Sequence, residues 1–486
     1  WNSARPACSN STWNVGGVHH CVVRLARYLM WMKRLDWRVI LSIATFAMLF
    51  QQAFSYVCQI ALPILADRIA DDFGISRAWL GLYLFIQNVT AIVAAMGCGG
   101  FILKYGAWRV SQICLLLMGT SLIVIAGGVL WLYPLGGILL GAGAVSTPAS
   151  SHILARHCPR HLAPIVFSVK QTGVPVGSLI GGLLVPALLG VGFYLATFRE
   201  SVYLDAYGTA FVTALIVYSV GVMLQPFRTF FDSDRDPSVQ PSFSGVSETM
   251  KIVVSDPNLR DLAFAGFAFG GLQSIYSGFF ILYLIDGLEY SEVDAGLAFA
   301  IASTTAVVAR ILWGWLGSTL VSPRVVMGLI GLFGFVAAVL TGYYDFGWSF
   351  TAIVATAILY NITALSWHGV LLAETARLAP PDQVGGVTGG VLSFTSVAMM
   401  IYPVIYGTVL YVTDSYGAGF FVGAVPSLIA AFVFFRPPVQ RSWLRILLDS
   451  MRWAMVPARL AYAFTIAVIG GVAGAVWVYG GLKPPL

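Results

Sequence analysis

The chain has 486 residues, of which 58% are hydrophobic and only 10% are charged, and its formal net charge is +6. Soluble globular proteins carry about 25% charged residues, so this composition excludes a fold covered by water-facing side chains. Six scattered cysteines without CxxC spacing favour buried apolar thiols over a disulfide or metal site. GxxxxGK[ST] and HExxH motifs are absent from the sequence, so we expect no cofactor, no bound metal and no ATP-driven step.

Long apolar stretches recur along the chain, and a spanning helix needs roughly 20 such residues. They are longer than the alternating segments of a membrane β-barrel. Helices 1 to 6 are predicted at about 38–64, 79–103, 110–129, 131–155, 164–191 and 207–226. Helices 7 to 12 are predicted at about 262–285, 293–317, 323–342, 348–374, 387–412 and 417–435. The sequence therefore predicts an all-α, polytopic membrane protein.

Composition divides the chain into five parts. We expect an N-terminal extension over 1–36, a six-helix bundle over 37–226, a cytoplasmic linker over 227–261, a second six-helix bundle over 262–436, and a tail over 437–486. The tail begins with a basic amphipathic segment that suits an anionic membrane surface. Residues 460–480 are apolar enough to form an additional C-terminal hydrophobic helix, which we expect to act as an anchor.

Basic residues are concentrated in alternate connections between the predicted helices. If the N-terminus of the bundle is inside, the inner connections hold Lys104, Arg109, Arg156, Arg160, Arg228, Arg235, Lys251, Arg260, Arg324 and Arg377, against Arg68, Arg77 and Arg199 outside. Basic loops favour the cytoplasm, so both ends of the twelve-helix core are predicted to face inward. The net charge thus indicates topology rather than nucleic-acid binding. We expect a monomer in a bacterial inner membrane, with the lipid bilayer and a small-molecule substrate as its partners.

The two halves of the chain repeat one another. Residues on helix 5 are matched by residues on helix 11 at one constant spacing: Gly173 by Gly390, Pro186 by Pro403 and Gly190 by Gly407. Parallel six-helix repeats describe one group of secondary transporters. The pattern predicts two pseudo-symmetric bundles.

The segment Gly99 to Arg109, GGFILKYGAWR, resembles the loop 2–3 signature of the major facilitator superfamily, and a second-half counterpart begins at Gly314. VKQTGVPVG at 169–177 and ARILWG at 309–314 are also similar to bacterial members. The resemblance covers about 37–436 and implies a twelve-helix transporter. Leu103 and Ser318 stand where the family usually has aspartate, so the charge relay of that loop is not implied. Together with the helix-breaking residues, this predicts a gating set: Gly99, Gly106, Arg109, Gly173, Pro175, Gly177 and Gly314.

Two cations lie inside predicted spans, Lys170 on helix 5 and Arg310 on helix 8. Burying a charge in a membrane is costly, so each is a candidate functional residue. Both share a helix face with small residues, which mark close helix packing. The family resemblance implies that helices 5 and 8 meet between the halves, where the cations would bind a substrate carboxylate or similar anion. The alternative is that they reach the membrane interface or satisfy loop carbonyls.

Polar residues on helices 1, 7 and 10 are further candidates for the substrate site: Gln52, Tyr56, Gln273, Tyr276 and Asn361. Three side chains are candidates for proton coupling: His368, Glu374 and His152. Each of these residues has an equally simple interpretation as a hydrogen-bonded group between helices.

We therefore expect a secondary active transporter, and not an enzyme, that moves a small organic anion such as a monocarboxylate by alternating access with proton coupling. A drug or metabolite exporter of the same fold is one alternative. A transporter-shaped receptor or scaffold that moves nothing is the other.

Overall fold

The computed structural model describes residues 36–75, 79–189, 191–195, 200–240 and 245–436. Within these ranges, twelve helices are long and apolar enough to cross a membrane, which confirms the predicted fold class. The predictions of a basic segment after 437 and of an additional helix at 460–480 lie outside the described residues. So does the predicted N-terminal extension, apart from Asp36.

The first half begins where Asp36 accepts a hydrogen bond from the backbone N–H of Arg38 and so caps helix 1. Its helices are helix 1, Trp37–Phe73; helix 2, Trp79–Tyr105; helix 3, Ala107–Ala126; helix 4, Tyr133–Ala142 and Ser146–His157; helix 5, Ala163–Gln171 and Gly173–Leu188; and helix 6, Ala206–Met223. Helix 5 ends at Leu188 rather than 191. Between helices 5 and 6, strands β1 (Gly192–Leu195) and β2 (Glu200–Tyr203) pair antiparallel.

The second half contains helix 7, Pro257–Leu282; helix 8, Glu292–Thr319; helix 9, Pro323–Gly342; helix 10, Phe350–Ala364 and His368–Leu378; helix 11, Val384–Thr413; and helix 12, Tyr416–Phe435. The connection before it is more ordered than the sequence predicted. It contains a short helix, Gly245–Ser255, and helix 7 starts at Pro257 rather than at 262. The early start follows from local chemistry, because Asp256 caps the helix and proline suits its first turn.

The two halves contact each other on the side that carries the basic connections, which we call the inner side. Helix 2 packs against helix 11, and the inner segment of helix 5, Ala163–Gln171, packs against helices 8 and 10. The outer segment, Gly173–Leu188, packs mainly against helix 1 of its own half. One hydrophobic core joins both halves, whereas a second core is formed by the second half alone. The described chain is therefore closed on its inner side.

Candidate functional site

Lys170 lies in the inner segment of helix 5, and its side chain is only 1% exposed. Its ammonium group donates hydrogen bonds to Gln52 Oε1 at 2.7 Å and to Gln171 Oε1 at 3.3 Å. The Thr147 hydroxyl donates to the same Gln52 oxygen at 3.1 Å. Gln52 thus links helices 1, 4 and 5 around the buried charge.

Arg310 lies on helix 8 in the other half and is 3% exposed. Its Nη1 donates to the backbone oxygen of Gln171 at 2.7 Å, which is a hydrogen bond between the two halves. Nε and Nη2 donate to the backbone oxygen of Leu365, at 3.1 and 2.8 Å. Leu365 lies in the interruption of helix 10, where a carbonyl oxygen lacks its regular helical partner.

Neither cation has an acidic partner among the described residues, because every ion pair found there joins other side chains. All partners of Lys170 and Arg310 are neutral amide or carbonyl oxygens. Uncompensated buried charge is unfavourable, and a bound anion would relieve that cost. Two buried cations from opposite halves thus lie in one hydrogen-bonded cluster, and their binding of a substrate anion stays a prediction.

His368 and Tyr56 are the partly exposed members of this cluster. His368 is close enough to interact electrostatically with both cations, and Tyr56 with Arg310. The imidazole stacks on Trp367, with ring centroids 3.8 Å apart, and its Nδ1 is buried without a hydrogen-bond partner. These two side chains are therefore the part of the cluster that is not fully buried.

The candidates on helices 7 and 10 lie within the packing of the second half. Tyr276 is fully buried and stacks on Phe280 and Tyr360. Its hydroxyl faces Asn361, but neither that hydroxyl nor Asn361 Oδ1 has a partner in hydrogen-bond geometry, and the same holds for Gln273 Oε1. These groups are not among the hydrogen-bond partners that Lys170 and Arg310 have in the described residues, so their role in substrate binding stays a prediction.

The other proton-coupling candidates are tied to charged partners at the inner side. Glu374 forms a two-point ion pair with Arg377, at 2.6 and 2.8 Å. His152 lies 3.0 Å from Asp234, which also pairs with Arg156 at 2.7 Å. Burial alone would raise the pKa of Asp234, but the hydrogen bond and charge of His152, with Arg156, outweigh it and hold that pKa below its usual range. His368 differs from both because none of the acidic side chains that the structure describes forms an ion pair with it.

The predicted gating glycines fall into two groups. Gly99 faces Gly386 of helix 11, and Gly314 faces Ser168 of helix 5, so both lie where the halves meet. Gly173 and Gly177 instead lie against the backbone of helix 1, within the first half. Close helix packing through small residues explains both groups, but only the first group can report on movement between the halves.

Gly106 and Arg109 lie at the turn into helix 3, where Gly106 has φ +90°. Asp232, beyond the end of helix 6, accepts hydrogen bonds from the backbone N–H of Trp108 at 2.7 Å and of Arg109 at 3.0 Å. Burial raises the pKa of Asp232 to about 6, against the opposing effect of these hydrogen bonds. A carboxylate from the linker thus caps helix 3, next to the loop in which Leu103 replaces the usual family aspartate.

Sequence reasoning missed three members of the cluster: Gln171, Thr147 and Trp367. Gln171 could have been predicted from the sequence, because Pro175, four residues later, has no N–H to donate to the Gln171 carbonyl oxygen. Thr147 and Trp367 had no comparable signal. No group of acidic, histidine or cysteine side chains that could hold a metal ion occurs in the described ranges.

Comparison with known proteins agrees with this architecture. The sequence model of the Major Facilitator Superfamily matches residues 41–374 and 262–482. A probable nitrate/nitrite transporter of Mycobacterium tuberculosis is 26% identical over 199 residues, which are 40% of this chain and 49% of that protein. The match therefore spans about half the length of that relative.

Solved transporters share the fold. The Escherichia coli fucose:proton symporter superposes with a TM-score of 0.63 at 15% identity, covering 84% of this chain and all of that one. A bacterial homologue of the iron transporter ferroportin, in an outward-facing state, gives 0.66 at 14% identity, covering 82% and 98%. The human organic anion transporter TETRAN gives 0.61 at 17% identity, covering 82% and 100%.

At these identities the structures establish the fold and not the solute. The family match covers most of the chain, and its relatives indicate a transporter rather than an enzyme. The chain therefore belongs to the major facilitator superfamily, as a multi-pass membrane transporter of the secondary-transporter kind.

Proposed function

We propose that this transporter carries a small monovalent anion, first of all a monocarboxylate, by alternating access in a bacterial inner membrane. The observation that supports this choice is the pair of buried cations, Lys170 and Arg310, contributed by opposite halves without an acidic partner among the described residues. A cationic solute would be repelled there. A neutral sugar would leave both charges uncompensated.

Within the cluster, Lys170 and Arg310 supply the attraction, and the partly exposed Tyr56 and His368 make the first contact with the solute. His368 is the proton-coupling residue in this proposal, because its imidazole is beside both cations and, within the described ranges, has no acidic partner like the Asp234 that pairs with His152. The transporter works as a monomer, since each bundle contributes one of the two charges.

Nitrate is the second candidate solute. It is favoured by the match to a probable nitrate/nitrite transporter over 199 residues. Nitrate and a carboxylate are both planar monoanions that accept hydrogen bonds from a guanidinium group, so the two cations alone do not choose between them.

The test uses purified protein in proteoliposomes, with isotope-labelled acetate, lactate and nitrate as anions and glucose and tetraethylammonium as controls. Lys170→Gln and Arg310→Gln are each expected to lower the initial rate of anion uptake at least about tenfold, because each removes a charge-assisted contact. Lys251→Gln is the matched control, since Lys251 is exposed on the short helix Gly245–Ser255 and has no part in the cluster.

Three results would count against the proposal. Wild-type rates in both cluster variants would remove the anion site. Uptake of tetraethylammonium alone would favour the drug exporter. A lack of uptake of any solute, by protein that still binds one of them, would favour the receptor.

A further inference from the structure

Helix 5 is interrupted at the point where the halves meet. Its inner segment ends at Gln171 and its outer segment begins at Gly173. In a regular helix, the N–H of residue 175 would donate to the carbonyl oxygen of residue 171, but Pro175 has no N–H. That oxygen is therefore free of its helical partner, and Arg310 of the other half donates to it at 2.7 Å.

Gln171 contacts both buried cations. Its backbone oxygen accepts from Arg310, and its side-chain oxygen accepts from Lys170 at 3.3 Å. Through its remaining donors, Arg310 also binds the Leu365 carbonyl in the interruption of helix 10. One guanidinium group thus joins two interrupted helices that belong to different halves.

This hydrogen bond lies next to close helix packing in the inner contact. Ser168, three residues before Gln171, faces both Gly314 of helix 8 and Gly369 of helix 10. A Cβ atom built on Gly369 would lie 2.2 Å from the Ser168 hydroxyl, so there is no room for these helices to move closer. The backbone N–H of Ile165 also donates to the Ser318 hydroxyl across this contact, at 3.1 Å. A change that frees Gln171 from Arg310 therefore removes a charge-assisted hydrogen bond and leaves a neutral one.

We propose that Pro175, Gln171 and Arg310 form a latch that holds the inner side closed, and that a bound anion opens it by taking the guanidinium group from the Gln171 carbonyl. This inference rests on the proposed anion transport. A carboxylate is the stronger acceptor, because it carries a negative charge and can accept two parallel N–H bonds from the guanidinium group, whereas the peptide oxygen is neutral and accepts one. Pro175 is a positioning residue: it leaves the carbonyl available without touching the solute.

The test follows the exposure of Cys98, which is 1% exposed between helices 2 and 11, with its thiol 3.5 Å from the Gly385 oxygen. Opening of the inner side separates these helices and lets N-ethylmaleimide reach the thiol. The background carries Cys8→Ser, Cys21→Ser and Cys158→Ser, whereas Cys58 and Cys114 are buried inside the first half and stay. The alkylation rate is measured on purified full-length protein, with and without lactate, acetate or nitrate.

Pro175→Ala restores an N–H that competes with Arg310 for the Gln171 oxygen. We expect Cys98 alkylation without any anion to become about tenfold faster, and an added anion to accelerate it little further. Pro186→Ala is the matched control, because it makes the same change on the outer segment of helix 5. Arg310→Lys, which keeps the charge but loses the forked donor, is expected to act like Pro175→Ala.

Equal alkylation rates in Pro175→Ala and Pro186→Ala, with Arg310→Lys also like wild type, would overturn the latch. That failure is distinct from failure of the proposed function. In the latter case no anion is taken up by wild-type proteoliposomes, whatever the alkylation rates are.

Discussion

The Gly314→Ala variant tests the contact between helices 5 and 8 on the inner side, and the test does not require the transported solute to be known. A Cβ atom on Gly314 would lie 2.5 Å from the Ser168 side chain and 2.7 Å from the Pro164 oxygen, distances that normal packing does not allow. Ser168 and Pro164 belong to helix 5 of the other half, so the strain exists only while the inner side is closed. Overpacking of this kind costs about 1–3 kcal/mol.

That free-energy cost changes the equilibrium constant by about 5- to 150-fold in favour of the state in which helices 5 and 8 are separated. Cys98 alkylation, measured in the background with three serine substitutions, should accelerate by the same factor while the variant remains folded. Gly296→Ala is the control on the same helix, because a Cβ atom at Gly296 meets no atom within 4 Å. Unchanged alkylation in Gly314→Ala, with a normal unfolding temperature, would refute the view that this contact closes the inner side.

Three further predictions concern other parts of the structure. Gly389→Ala places a Cβ atom 1.9 Å from a helix 2 carbonyl oxygen, so it should lower anion uptake, whereas Gly407→Ala on the same helix should be neutral. Burial raises the pKa of Asp232 in the folded protein to about 6, so its protonated form stabilises the fold and this stabilisation is lost as pH rises through about 6. Relative to the Asp232→Asn variant, the wild type should therefore gain thermal stability as pH falls from about 7 to about 5. Arg324→Gln should cost about 2–4 kcal/mol, because it removes an ion pair and two carbonyl contacts of a 14% exposed side chain. Arg156→Gln, at 39% exposure, should cost less than about 1 kcal/mol in the same thermal unfolding assay.

The membrane spans could be read from the sequence because hydrocarbon imposes a simple rule. Every backbone polar group in the bilayer must be paired within its own segment, so each crossing needs one long apolar helix. The predicted start of helix 7 was wrong because the capping residue Asp256 and the first-turn proline Pro257 determine where that helix begins. The end of helix 5 was missed for a different reason, since the chain enters an antiparallel strand pair soon after Leu188.

The sequence by itself placed Lys170 and Arg310 inside apolar spans, but it left open whether they are buried or reach the membrane interface. The structure shows that both are buried. The hydrogen-bond partners of the two cations could not be predicted from the sequence. Arg310 binds a carbonyl 139 residues away, and Gln52 binds an ammonium group 118 residues away. Such pairs depend on the position along each helix at which two helices cross. Helical periodicity predicts which face of a helix is buried, but it does not predict this position.

Only the tertiary structure separated residues that look alike in the sequence. Gly173 and Gly314 are both small residues on packing faces, yet the first meets its own half and the second meets the other. His152 and His368 both lie in spans, yet only the first has an aspartate from the linker beside it. The physical reason is that insertion of a helix into the membrane depends on the apolar residues of that helix alone, and these can be read from the sequence. The neighbour that each helix face contacts depends instead on how the two bundles pack together.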